Sequence, residues 1–194
     1  MLGLAAYVAA VLSACEASSG TFKCFTDGRT RPELRHTIGF LACPLYLGIC
    51  LPDGGSFADL LKLLTEEYCR AYEHADHFYL ESLEWRPAFL ASHSFNWIPQ
   101  TSSGLEIPHT NGMRDEVSLH PVSFENPLFT QWSIDSETIA LFVERPNDIF
   151  GQVLYRKDRI SRGLVERFAA SFSPYIEALL GEPRMPLTHI RILQ

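Results

Sequence analysis

Gly28-Arg29-Thr30-Arg31-Pro32-Glu33-Leu34, followed by Ile38-Gly39-Phe40-Leu41-Ala42-Cys43-Pro44-Leu45, is the stretch on which the reading of this chain turns. A polar, arginine-rich loop runs straight into a nearly uncharged segment that leads to the strand-like run 45–51. Gly28 and Pro32 are turn formers, so the loop belongs at the rim of a sheet. The apolar run behind it reads as a buried strand entered from that rim.

Working back from the loop, residues 21–26 alternate and hold two aromatics, which predicts a strand. Before them, residues 2–17 carry Leu4, Tyr7, Val8, Val11, Leu12 and Cys15 at helical spacing, and Ser18-Ser19-Gly20 stop the pattern. Residues 1–14 are apolar, and Leu12-Ser13-Ala14-Cys15 has the shape of a lipoprotein cleavage box. No Lys or Arg precedes the apolar run, and it is too short to span a bilayer. It reads as a core helix.

Forward of the loop, Pro52-Asp53-Gly54-Gly55 is a turn, and Ser56 with Asp59 three residues on caps a helix. Phe57, Leu60, Leu61, Leu64, Tyr68 and Tyr72 form its apolar stripe, opposed by Lys62, Glu66, Glu67 and Arg70. His74-Ala75-Asp76-His77 follows and invites a metal reading, but spacing marks no third ligand. A histidine near a helix C-terminus already meets a favourable dipole there. Residues 89–96 read as a strand containing His93, a hydrogen-bonded core or rim residue before it is a catalyst. Residues 97–113 are rich in Pro, Ser and Gly and make a long excursion. Strands are predicted near 117–124, 129–134, 138–144 and 151–155, the last pair joined by a hairpin turn at 145–148. Ser161 opens a final helix whose apolar face runs from Leu164 to Leu180 and ends at Gly181. Pro174 predicts a kink or a break within it, and 186–193 is an apolar tail.

At 194 residues the chain fits one domain able to bury a core. Apolar content of 46% with 20% charged residues excludes a disordered chain. A net charge of -7 argues against nucleic-acid binding, which needs a basic surface. Basic residues still cluster at Arg29, Arg31 and Arg35, and again at Arg156, Lys157 and Arg159. Five cysteines without a CxxC pair read as free thiols of a reducing cytoplasm. No glycine-rich phosphate loop is present, and no metal-ligand constellation is marked. The fold class expected is α/β or α+β, a mixed sheet covered by helices on one side.

In order, these pieces resemble the C-terminal lobe of a nonribosomal peptide synthetase condensation domain, within the chloramphenicol-acetyltransferase-like (CoA-dependent acyltransferase) superfamily. Residues 28–34 are similar to that family's GRxRPEL loop and 38–43 to its IGxFVN segment. Ser56-Phe57 with Leu60-Leu61 resembles its SFxxLL helix, His74-Ala75-Asp76 its HQD segment and Arg86-Pro87-Ala88-Phe89 its RNPLF strand start. Tyr155-Arg156-Lys157-Asp158 resembles the YxxD closing its last hairpin. The likeness spans nearly the whole chain. Cys43 stands where the family has Asn, and Ala75 where it has Gln. Asn126-Pro127-Leu128-Phe129 mimics RNPLF but falls too late in the order.

The family's working motif, HHxxxDG, belongs to the N-terminal lobe, and no His-His pair occurs in this sequence. The resemblance therefore implies a single domain over 1–194, the half that walls a tunnel and meets the acceptor carrier protein. Amide formation between phosphopantetheine-tethered thioesters would need the other lobe, in cis or in trans. No residue of this chain would be catalytic, and no metal or cofactor of its own is implied, since the phosphopantetheine arm arrives on the carrier. Gly39, Cys43 and His93 would line the tunnel, and Arg29, Arg31 and Arg35 would face the carrier. Residues 97–116 would form the crossover that clasps the other lobe. The expected setting is cytoplasmic secondary-metabolite biosynthesis, with the chain a fragment of a longer synthetase or a separately encoded lobe. A second reading is a noncatalytic module that binds carriers or a synthetase. A third, an independent acyltransferase using His93 or His36 as its base, lacks a positioned partner for either histidine.

Overall fold

The computed structural model describes residues 1–29, 31–34, 36–39, 41–75, 93–98, 137–144 and 147–187. In chain order these form α1 (Leu2–Ala14), β1 (Ser19–Thr26), β2 (Cys43–Cys50), α2 (Phe57–Glu73), β3 (His93–Ile98), β4 (Thr138–Glu144), β5 (Ile149–Tyr155) and α3 (Arg162–Gly181). The strands make one sheet in the order β2-β1-β3-β4-β5. The outer pairs β1/β2 and β4/β5 are antiparallel, and the inner neighbours β1/β3 and β3/β4 are parallel. This is the mixed α/β architecture that the pattern of helices and late hairpin predicts.

Registry puts Phe22, Leu47, His93 and Thr138 abreast, and side chains two residues apart share a face. The core draws Phe22 and Cys24, Leu45, Leu47 and Ile49, Phe95, and Ala140 and Phe142 from the strands. All of these lie on one face, so the helices cover that face. The other face carries half-buried Tyr46, Ile139, Leu141, Val143, Phe150 and Leu154.

Helix α1 is the centrepiece. Leu4 through Leu12 are buried without a gap, as an all-round apolar helix requires. Tyr7 is its hub, with its ring 6.3 Å from Phe22, 5.3 Å from Phe95 and 5.5 Å from Phe168 of α3. One aromatic side chain thereby ties α1 to two strands and another helix, in the offset and edge-on geometries that aromatic pairs favour. The cleavage-box residues Leu12 to Cys15 are the end of this core helix. It stops at Ala14, earlier than 17, because Glu16 turns the chain with φ 50.

Ser56 begins α2 with a complete capping box: Asp59 N–H donates to the Ser56 hydroxyl at 3.3 Å, and Ser56 N–H donates to the Asp59 carboxylate at 2.9 Å. Such a cap is worth about 1 kcal/mol. Helix α3 runs unbroken through Pro174, so the break into two helices does not occur. The buried residues Phe168, Tyr175 and Leu179 hold the segments on both sides of the proline to the core. Leu180, expected on the apolar face, is 62% exposed.

Strand β3 extends to Ile98, so Trp97 belongs to the sheet and not to the excursion that follows. The rest of that excursion, the strands expected at 117–124 and 129–134, the residues 89–92, and Asp76 and His77 lie outside the described residues. So does the tail from 188 onward.

Candidate functional site

The loop after β1 is built by its glycine and first arginine. Gly28 has φ +68, and a Cβ there would stand 1.7 Å from the carbonyl oxygen of Leu41. Only glycine permits the two ends of the 28–41 loop to touch. Arg29 then braces the loop from within. Its N–H donates to Asp27 Oδ1 at 3.0 Å, and its guanidinium donates to the Asp27 carbonyl at 3.1 Å and the Thr37 carbonyl at 3.2 Å. Pro32–Leu34 form one 3-10 turn between these anchors.

The apolar segment behind the loop does not enter the core at once. Ile38 is fully exposed, and among the described residues nothing stands within 4 Å of a Cβ on Gly39. Burial begins at Cys43, the first residue of β2, whose thiol donates to the Leu41 carbonyl at 3.3 Å. The closed loop holds 38 and 39 outward, which the apolar composition of 38–45 concealed. Arg31 is exposed beside it, and Arg35 lies outside the described residues.

His93 sits elsewhere. Cys43 pairs with Thr26, four residues beyond Phe22, the partner of His93. At ~3.3 Å per residue the two are offset by roughly 13 Å along the strands, and they are two strands apart. Gly39, Cys43 and His93 therefore do not form one cluster: the first two flank the loop end of the sheet, and His93 marks the opposite end.

At that opposite end three side chains form a chain of hydrogen bonds. The Tyr7 hydroxyl lies 3.0 Å from Thr138 Oγ1, which lies 2.8 Å from His93 Nδ1. Tyr7 is wholly buried, and burial raises its pKa well above the ordinary phenol value, so it keeps its proton. A buried hydroxyl proton without an acceptor is costly. The economical arrangement has Tyr7 donating to Thr138 and Thr138 donating to His93 Nδ1, which leaves the imidazole proton on Nε2. Protonating His93 would turn Nδ1 into a donor, so Thr138 would accept from both neighbours and its own hydroxyl proton would lose its acceptor in this chain. Burial also lowers the His93 pKa, against a smaller opposing pull from the Glu137 carboxylate.

These residues border a cavity of about 230 Å³ between the end of α1, the start of α3 and strands β4 and β5. Val11, Val153, Leu164 and Phe168 supply its apolar wall, and Cys15, His93, Glu137 and Arg159 its polar atoms. Burial and Glu137 both push the Cys15 thiol up, so it is a poor nucleophile at neutral pH. Cys24, buried under the helices, is pushed up to about 12. Arg156 of the second basic cluster is neutralised locally by a two-pronged pair with Asp158, at 3.1 and 2.6 Å.

His93 and the loop arginines were visible in the sequence. Tyr7, Thr138 and Glu137 were not. Tyr7 and Thr138 are 131 residues apart, and in sequence each is an ordinary helix or strand residue.

No family model matches the chain. Two curated proteins resemble it: bacitracin synthase 3 of Bacillus licheniformis, 25% identical over 167 residues, and a linear gramicidin synthase of Brevibacillus parabrevis, 24% identical over 176 residues. Each match takes in 86% of this chain, which spans only 2% and 3% of those proteins. Among solved structures, the first condensation domain of the CDA synthetase aligns over all of this chain and 42% of its own, with TM-score 0.67 and 14% identity. The X-domain from teicoplanin biosynthesis, in complex with OxyB, aligns over the same shares with TM-score 0.69 and 17% identity. The condensation domain of the polyketide synthase MokA covers 96% of this chain and 42% of its own, with TM-score 0.69 and 16% identity.

Proposed function

With a condensation-domain fold and relatives among peptide synthetases as its premises, we propose that this chain serves as the C-terminal lobe of a condensation domain. The observation that carries the reading is coverage: the whole chain aligns with about two fifths of a condensation domain, the share of one lobe. In this role it forms one wall of the tunnel and the acceptor-carrier side. The lobe bearing HHxxxDG would supply the histidine that positions or deprotonates the attacking amine. Amide formation between phosphopantetheine-tethered thioesters then requires both lobes, and this one alone is inactive.

The braced loop supports the assignment of surfaces. Ile38, fully exposed on a loop locked by Gly28 and Arg29, would be presented in a fixed position to an adjoining molecule. Gly39 and Cys43 would then meet the tunnel, and Arg31 and Arg35 the carrier's phosphate. Arg29 contributes by holding the loop in shape. His93, at the far end of the sheet, would reach the tunnel only if the tunnel extends there.

An antibody against 161–180 applied to the source cells tests the reading. A band far above 21.9 kDa, with amide formation by that polypeptide, is the expected result. A band at 21.9 kDa with no HHxxxDG lobe copurifying would overturn it. That outcome would favour a noncatalytic interaction module, a reading to which the similarity to a domain found in complex with OxyB lends support. For the carrier surface, Arg31→Glu should weaken binding of a phosphopantetheine-loaded carrier, and unchanged affinity would remove that surface.

A further inference from the structure

We propose that the cavity bounded by His93, Glu137 and Arg159 is a binding site for a small amphipathic zwitterion, a free α-amino acid with a branched apolar side chain. The proposal does not rest on the carrier role of the 28–41 loop, because the cavity lies at the other end of the sheet.

Size comes first. A volume of about 230 Å³ lies below the ~300–1,000 Å³ of pockets that take drug-sized ligands. It holds roughly eight waters' worth of liquid, close to the bulk of a leucine-sized molecule. The wall is apolar where Val11, Val153, Ile160, Leu164, Val165 and Phe168 meet, which suits a branched hydrocarbon and not a sugar or a nucleotide.

Charge then selects the head group. The Glu137 carboxylate lies close enough to act electrostatically on His93, Cys15 and the Arg156 guanidinium, which is itself held by Asp158, and among the described residues no direct ion pair engages Glu137. Among the described residues the Arg159 side chain has only a loose pair with Asp158, at 4.0 Å, and it is 61% exposed. The backbone ties these two charges to one turn: Arg156 N–H donates to the Glu137 carbonyl at 3.0 Å, and Arg159 N–H donates to the Arg156 carbonyl at 3.1 Å. A simple anion would face Glu137, and a simple cation would face Arg159. A neutral ligand would leave both charges unused. A zwitterion answers both, with its ammonium on Glu137 and its carboxylate on Arg159 and the imidazole N–H.

The Tyr7–Thr138–His93 chain gives the site a fixed donor. It anchors the ring through Nδ1 and leaves Nε2–H for a ligand carboxylate. Such preorganisation lowers the ordering cost of binding.

Calorimetric titration of the 194-residue chain with L-leucine, isovalerate, isopentylamine and isopentanol tests the proposal. Leucine is expected to bind at least tenfold more tightly than each of the other three. Glu137→Gln should cost leucine and isopentylamine tenfold and leave isovalerate unchanged, whereas Arg159→Gln should weaken leucine and isovalerate. Both residues are accessible to solvent, and an unchanged melting temperature certifies each variant as folded. No heat with leucine at millimolar concentration, or isopentanol binding as well as leucine, would overturn the proposal. So would a Glu137→Gln variant that binds leucine undiminished.

Discussion

At the scale of single residues, Gly28 and His93 carry the sharpest expectations. Gly28→Ala places a methyl group 1.7 Å from a backbone oxygen in a left-handed conformation. Strain of that kind costs about 1–3 kcal/mol before any clash is relieved, and urea unfolding should register at least that loss. Gly48→Ala is the control: among the described residues nothing lies within 4 Å of its added Cβ, so its midpoint should barely move. His93 predicts a pH dependence. Its folded pKa lies below the unfolded value near ~6.5, so the unfolded chain binds the extra proton first on acidification. Stability is then full above about pH 6.5, falls as pH drops through that value, and levels off below the folded pKa. Unfolding free energies between pH 5 and 8 should show this slope, and His93→Gln should flatten it. A slope unchanged in the variant would assign the effect to another histidine.

Elements were largely legible in the sequence, and the exceptions have physical reasons. The capping box at Ser56 and Asp59 is a local device with a local signature, and α2 starts where it says. The hairpin of β4 and β5 was equally plain, because alternation and turn residues are short-range signals. Pro174 was misleading in part. The proline removes a helical donor and crowds the preceding turn, but Tyr175 and Leu179 beyond it are core residues, so tertiary packing carries the helix through. Pro174 itself is exposed. Pro174→Ala should therefore stabilise the fold by about 1 kcal/mol or more, given the ~3 kcal/mol interior penalty of proline. A lower melting temperature in the variant would mean that the packing requires the shape proline imposes. The 38–45 run was misleading in the opposite direction, since apolar composition predicts burial but the loop closure at Gly28 and Leu41 holds Ile38 outside. The Tyr7–Thr138–His93 chain had no sequence signal at all, for hydrogen bonds across 131 residues follow only from the finished topology.

At the scale of the molecule, the placement of α1 has a consequence in time. Among the described elements α1 is synthesised ahead of the others and is the most deeply buried, and it packs on strands β3 and β4 and on α3, which leaves the ribosome about 150 residues later. At ~5–20 residues per second that interval is roughly 7–30 s. Throughout it, an uncharged helix with no polar face has β1 and α2 beside it but lacks its cover from β3, β4 and α3. Nascent chains stalled near residue 150 should thus bind a hydrophobic-client chaperone through residues 2–14, and release of the full chain should end that binding. Stalled chains that ignore the chaperone would show that β1, β2 and α2 already shelter the helix. The fold therefore asks its surroundings to keep one helix out of trouble until the last one arrives, and its yield in a cell should follow chaperone supply more closely than equilibrium stability.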